Sequence, residues 1–302
     1  MMQTPHIPVL SHKLIELVKP THGQRFLDCT AGYGGHSELL FKAVSSTGVG
    51  YLNDQDHDAI NYLRQKFHGQ ANCHLLHKPF GQLSLADVGQ PLDIVIADLG
   101  VSSKQLGEAD RGFSFKLDGP LDMRMDQRNP ISASDIVNTY SEAELTQLFR
   151  TYGQHPQSKA VAHAIVTQRQ VQPITSTHQL QLLISSVVHA RERKIDPATK
   201  FFQALRMEVN QELTQLQQLL GNIPNLLAIG GRVAIISFHS GEDRLVKHTF
   251  REWTTPTRKE RGAIEQFASF VKVTSRPIKG EQFDNTNPRA RSARLRVVEK
   301  IN

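Results

Sequence analysis

The sequence predicts an α/β protein in which a mostly parallel sheet is interrupted by a long all-helical insertion. Three observations predict it. Short apolar runs alternate with helical periodicity through the first hundred residues, the pattern of a parallel sheet covered by helices. From Ser134 to Leu220 only helical signals are present. A buried strand, Arg232-Val-Ala-Ile-Ile-Ser237, then returns the chain to sheet.

Arg25-Phe-Leu-Asp-Cys-Thr30 opens the sheet as a short buried strand. The Gly-rich turn Ala31-Gly32-Tyr33-Gly34-Gly35-His36 follows, then a helix through Leu39, Leu40 and Ala43. Gly48–Asn53 is the second strand. The next helix runs from His57 to Phe67, with Ile60, Leu63 and Phe67 on one face. Asn72–His77 and Leu92–Ala97 give two more strands. Gly107 to Asp126 has little periodicity and reads as a loop. Within the insertion, Ser141-x-x-Glu144 and Ser176-x-x-Gln179 are capping boxes, and Asp196-Pro197 reads as an N-cap followed by a helix-initiating proline. The helix after it places Phe202, Leu205, Val209, Leu213, Leu216 and Leu220 on one stripe, which is core packing. Gly230-Gly231 closes the block. A helix over Glu242–Trp253 and strands over Phe267–Thr274 and Ala293–Glu299 complete the chain. The expected division is therefore a domain of 1–109 and 221–302, with an inserted helical domain over 110–220.

With 39% hydrophobic and 21% charged residues in 302, a packed core is expected and global disorder is not. No apolar run is long enough for a membrane span, and the first ten residues lack the basic-then-apolar form of a signal peptide. Cys29 and Cys73 are the only cysteines, so free thiols and a reducing, cytoplasmic setting are expected. The net charge is +6, and residues 241–302 hold 14 Lys/Arg against 8 Asp/Glu. The basic excess is C-terminal, where it would attract a polyanion or simply solvate the surface.

Three constellations carry chemistry. In Asp28-x-Thr30-x-Gly32-x-Gly34-Gly35-His36, glycines between strand and helix allow close approach of a ligand to the backbone, and the helix start favours a carboxylate. In Asn53-Asp54-Gln55-Asp56, an acid some 20 residues past the glycines suits the two hydroxyls of a ribose; spacing alone does not choose between Asp54 and Asp56. In Ala97-Asp98-Leu99-Gly100-Val101-Ser102-Ser103, Asp98 sits at a strand's carboxyl end, over the crevice such sheets use for ligands. A nicotinamide-dependent oxidoreductase would share the first two features.

Together these residues resemble the 16S ribosomal RNA (cytosine-N4)-methyltransferases, the RsmH or MraW family. The resemblance begins at His6-Ile-Pro-Val-Leu10 and runs through Gly34-Gly-His-Ser37 and Asp98-Leu-Gly-Val-Ser-Ser-x-Gln-Leu106. It is most specific in Arg111-Gly-Phe-Ser-Phe-x-x-Asp-Gly-Pro-Leu-Asp-Met-Arg-Met-Asp126, and continues in Arg150-Thr-Tyr-Gly153, Phe202-Gln-Ala-Leu-Arg206, Ser237-Phe-His-Ser240 with Glu242-Asp-Arg244, and Asn287-Pro-Arg-Ala-Arg-Ser292. The chain departs from the family at Asn53, Gln55, Tyr33, Gly241 and Gln154-His155. The resemblance implies a class I (Rossmann-like) methyltransferase sheet, S-adenosyl-L-methionine as cofactor, and a decoding-centre cytosine of the small ribosomal subunit's 16S rRNA as substrate. It implies that Gly34, Gly35, His36, Asp54, Phe80, Asp98 and Gln105 bind the cofactor, which selects Asp54 over Asp56. The alternative within this fold is an RNA-binding factor that has lost catalysis.

Asp98 is the candidate catalytic residue: an acceptor on the cytosine amine would localise its lone pair and guide proton loss. It would otherwise hold the cofactor's ammonium. His239 either orients the base or hydrogen-bonds its own loop. Phe113 and Phe115 either stack an unstacked base or pack beneath their loop. Arg289, Arg291, Arg294 and Arg296 are candidates for phosphate contacts, or else the charges of a basic edge strand. Cys73, His74 and His77 form the nearest thing to a metal cluster, but no spacing matches a zinc site and no bound metal is expected. A homodimer is left open.

Overall fold

The computed structural model describes residues 8–188, 196–258 and 264–302. His6 and Ile7, the start of the first family-like motif, lie outside them. The chain falls into two compact units: Met1–Gly100 with Leu213–Asn302, and Val101–Glu212.

The first unit is built on a mixed sheet. Its strands are β1 (Arg25–Asp28), β2 (Val49–Asn53), β3 (Cys73–Leu76), β4 (Leu92–Asp98) and β5 (Leu227–Ser237). The later ones are β6 (Thr257–Arg258), β7 (Ile264–Gln266), β8 (Phe270–Lys272), β9 (Ile278–Lys279) and β10 (Arg294–Lys300). The order is β3-β2-β1-β4-β5-β10-β8, with β9 also on β10 and a separate β6–β7 ribbon. β1 through β5 pair in parallel, and β10 runs antiparallel to β5, β8 and β9. The strand order reverses between β1 and β4, which opens a crevice at the carboxyl ends of these strands.

Side-chain alternation builds a core on each face. Phe26, Ile94, Ile96, Ala234, Ile236, Leu295 and Val297 face a cluster completed by the helices Ser11–Val18, Gly35–Val44 and His57–Lys66. Leu27, Val95, Ala97, Val233, Ile235 and Val298 face the other, completed by Glu212–Leu226 and Ser240–Trp253. Both faces are apolar because both are covered, so β4 reads as a nearly continuous hydrophobic run.

The second unit has its own core. Helices Ala133–Thr139, Glu142–Leu148, Ser158–Val171, Thr177–Val187 and Ala198–Val209 bury Ile136, Leu145, Phe149, Val161, Leu180, Phe201 and Leu205 together. The two expected capping boxes are present, and Asp196 Oδ1 accepts from the Ala198 N–H. The segment expected as a loop, 107–126, is tied down rather than loose. Phe113, Leu121, Met123 and Met125 are buried in this core. Arg111 donates to the carbonyls of Arg124 and Met125, and Asn210 donates to Met123 O and accepts from the Met125 N–H. Met123 is held at φ 62°, a left-handed conformation that a side chain tolerates only when its surroundings fix it.

Four expectations are corrected. The single stripe from Phe202 to Leu220 is two helices, broken at Asn210–Gln211, where Gln211 has φ 52°. Phe202, Leu205 and Val209 pack in the second unit, but Leu216, Leu219 and Leu220 pack under the sheet. The unit boundaries therefore fall at 100/101 and 212/213 instead of 109/110 and 220/221. Gly230-Gly231 does not precede a strand: β5 already pairs with Leu92 at Leu227, and the glycines lie in a bulge before Arg232 meets Ile94. Finally, β10 is interior, not an edge. Arg296 is paired there with the buried Asp243.

Candidate active site

The carboxyl ends of β1, β2 and β4 bring together Asp28, Asp54 and Asp98 with the turn 29–36. The turn is fixed from several sides. Thr30 Oγ1 accepts from the Asp98 N–H at 2.8 Å, and Asp54 Oδ2 accepts from the Gly32 N–H at 2.8 Å. Asn53 donates to the carbonyls of Cys29 and Lys78, joining the loops after β1 and β3. The turn is therefore shaped before any ligand arrives.

Each glycine of the turn has its own reason. Gly34 has φ 71°, and a Cβ there would lie 2.8 Å from Phe67 and 2.9 Å from Leu63. Its need is packing against the helix His57–Lys66. Gly35 faces Pro8. Gly32, at φ 52°, faces open space, which leaves its backbone accessible to a ligand.

His36, in the first turn of Gly35–Val44, is buried, and its Nε2 lies 3.5 Å from Asp98 Oδ2. Among the described residues, His36 Nδ1 and Asp98 Oδ1 have no hydrogen-bond partner although both are enclosed, and Nε2 has only the Asp98 carboxylate beside it. Burial opposes charge on the His36 ring, but the carboxylates of Asp98 and Asp28 outweigh it and hold its pKa above the ordinary imidazole value. Beneath it, Asp28 is pushed up to about 6 by burial, against the hydrogen bond it accepts from Ser37 at 2.6 Å.

Asp54 keeps part of its surface open at the rim of the crevice. Enclosure of its carboxyl pushes it up to about 6, against hydrogen bonds from the backbone N–H groups of Asp56 and Gly32. Asp56 accepts from the Asp58 N–H as N-cap of the next helix. Asp56 is thus used in capping, and Asp54 ties the Gly-rich turn to the end of β2.

The remaining sequence candidates are placed as follows. Phe80, in the turn Phe80–Gln82, is buried and packs with Leu27, Cys29 and Leu83. Gln105 belongs to the second unit, where its carboxamide accepts from the Ser102 N–H and closes a capping box. His239 caps Ser240–Trp253: its Nδ1 accepts from the Glu242 N–H, the local of its two expected roles. Phe113 is buried and Phe115 packs edge-on against Phe202. Thr30, Ser37 and Asn53, which the motifs contain, brace the turn: they bond Asp98, Asp28 and the loops after β1 and β3.

The donor set fits the methionine and ribose parts of S-adenosylmethionine. His36, at a helix start, suits a carboxylate; Asp98 Oδ1 suits an N–H donor, either the cofactor's ammonium or an amine of the substrate; Asp54 suits vicinal hydroxyls. Strand order, crevice and acids at the ends of β1, β2 and β4 define a class I methyltransferase.

The MraW methylase family matches residues 3–301. The ribosomal RNA small subunit methyltransferase H of Trichlorobacter lovleyi is 42% identical, across 98% of this chain and 98% of its own length. That of Thermomicrobium roseum is 40% identical, across 99% and 95%. A solved rRNA methylase from Streptococcus thermophilus covers 100% of this chain and 99% of its own, at 12% identity and a TM-score of 0.43, too remote to argue from. The chain belongs to the MraW methylase family. It is a methyltransferase, with S-adenosylmethionine as methyl donor, and the oxidoreductase reading is set aside.

Proposed function

We propose that the chain methylates the small-subunit ribosomal RNA, at N4 of a cytosine in the decoding centre. Methylation of small-subunit rRNA is supported by the curated relatives, each a ribosomal RNA small subunit methyltransferase H. The cytosine N4 and its position rest on the motif resemblance. The observation that carries the chemistry is the enclosed His36–Asp98 pair, in which His36 Nδ1 and Asp98 Oδ1 have no partner among the described residues.

When bound, S-adenosylmethionine supplies an electrophilic sulfonium methyl. The chain's residues do the rest. His36 and Asp54 fix the donor at its two ends. Asp98 accepts a hydrogen bond from the exocyclic amine, whose lone pair is otherwise delocalised into the ring, and orients it for displacement. The target base leaves its stack to reach the crevice. Residues 101–212 recognise the RNA and carry Gln105. The near-neutral charge of this segment suits recognition of shape and bases, with phosphate attraction supplied by the basic C-terminal segment.

The test is transfer of tritiated methyl to small subunits that lack the modification, followed by nucleoside analysis. Label in N4-methylcytidine is expected. Label on another base, or none, overturns the assignment.

A further inference from the structure

Helix Ser240–Trp253 distributes its charges in an unusual way. Its acids near the start point inward. Asp243 is buried and accepts from Arg294 at 3.0 Å and from Arg296 at 2.8 Å. Those two arginines hold its carboxyl below the usual range against the effect of burial. Glu242 is buried and accepts from the Phe238 N–H at 2.8 Å. Its bases point outward. Arg244, Lys247, His248 and Arg251 are all exposed, at spacings i, i+3, i+4 and i+7, so they share one face. Among the described residues, Arg244, Lys247 and Arg251 make no ion pair. Half-exposed Arg294 adds to this field beside the first turn, because Asp243 holds it there.

Ordinary solvent-facing helices mix signs on the outer face and gain from i,i+4 pairs. Here the nearby carboxylates are consumed inside and the outer face keeps an uncompensated positive stripe. Of the helix's own acids, only Glu252, toward the end, lies exposed beside it. The stripe spans about 10 Å at 1.5 Å per residue, enough to meet two or three successive phosphates of one strand. It begins next to the crevice: the helix follows β5, whose Ile236 is registered with Asp98 on β4.

We propose that the outer face of helix Ser240–Trp253, through Arg244, Lys247 and Arg251, is a docking surface for the phosphate backbone of the substrate RNA. This rests on the small-subunit rRNA reading above. The surface positions the RNA and reads no sequence. Its partner is RNA because charge complementarity, without an apolar centre, is what the face offers.

The experiment compares wild type with a variant carrying Arg244→Gln, Lys247→Gln and Arg251→Gln. Binding to protein-free 16S rRNA and to unmodified small subunits is measured across a salt series, and S-adenosylmethionine affinity is measured by calorimetry. Each phosphate contact contributes about 0.7–0.9 to the slope of log affinity against log salt, so the triple variant should lose about 2 from that slope on protein-free rRNA. Its cofactor affinity should equal wild type, which also reports that it is folded. The variant Arg244→Lys with Arg251→Lys, which keeps the charges, should retain the slope. An unchanged slope in the triple variant overturns the proposal. Weaker binding to subunits with an unchanged slope on protein-free rRNA overturns it too, and assigns the face to a ribosomal protein. If wild type binds neither substrate, the rRNA reading fails and this surface fails with it.

Discussion

His36 Nε2 stands 3.5 Å from Asp98 Oδ2, and the other polar atoms of the pair, His36 Nδ1 and Asp98 Oδ1, are enclosed without partners among the described residues. Enclosed polar atoms without partners cost about 1–3 kcal/mol each. A site that accepts this cost recovers it when a ligand supplies the missing groups. Asp98→Ala should therefore leave thermal stability nearly intact while lowering single-turnover methyl transfer, at saturating cofactor, by about 100-fold or more. Near-normal single-turnover rates would remove Asp98 from the chemistry.

Asp54→Ala should weaken S-adenosylmethionine binding by about 1–3 kcal/mol, the worth of charge-assisted hydrogen bonds to the ribose. Asp54 also accepts from the backbone of Gly32 and Asp56, so the comparison needs Asp54→Asn, which retains one acceptor oxygen. Calorimetry on both folded variants checks it, and unchanged affinity in both would take Asp54 out of the site.

The Asp28 carboxyl, raised from 3.8 to about 6 by burial, predicts a pH dependence of stability. A raised acid favours the folded state while protonated. Its contribution is fully present below the unfolded value and is lost as pH rises through about 6. At roughly 1.4 kcal/mol per pKa unit, the effect is on the order of 2–3 kcal/mol. Asp28→Asn keeps an acceptor for Ser37 and cannot ionise. Urea midpoints should therefore fall less for the variant than for wild type between pH 4 and pH 7. Parallel curves would mean that Asp28 does not titrate in this window.

Excision of the inserted segment should depend sharply on where the chain is cut. Joining Gly107 to Gly221 removes Leu216, Leu219 and Leu220, which are buried under the sheet. Losses of about 2–5 kcal/mol for each such side chain exceed what a domain can spare, and this version should not fold. Joining Gly100 to Leu213 through a Gly/Ser linker keeps that core. It should unfold cooperatively and bind S-adenosylmethionine, but not methylate subunits. Absence of cofactor binding in the folded version would show that residues 101–212, Gln105 included, complete the cofactor site.

Much of this arrangement is legible in the sequence because the signals are local. The apolar runs of β1, β4 and β5, the capping boxes at Ser141 and Ser176, and the Gly-rich turn each depend on neighbours a few residues apart. The division between the units was less legible. Phe202 to Leu220 keeps one helical phase across the break at Asn210–Gln211, so periodicity alone cannot show that its two halves join different cores. The capping role of Asp56 needed the helix boundary, and that of His239 needed the end of β5. The bracing roles of Asn53 and Ser37 were not legible because their partners, Cys29, Lys78 and Asp28, meet them only in three dimensions. The pairing of Arg296 with Asp243 was hidden for the same reason: 53 residues separate them.

β10 lies between β5 and β8, near the middle of the sheet, yet it is drawn from residues 294–300. During synthesis every other strand of the sheet leaves the ribosome before it. Until it arrives, β5 presents a bare edge lined by Val233, Ile235 and Ile236, the kind of edge that recruits foreign strands. The sheet must therefore wait, with that adhesive edge open, until β10 has been made.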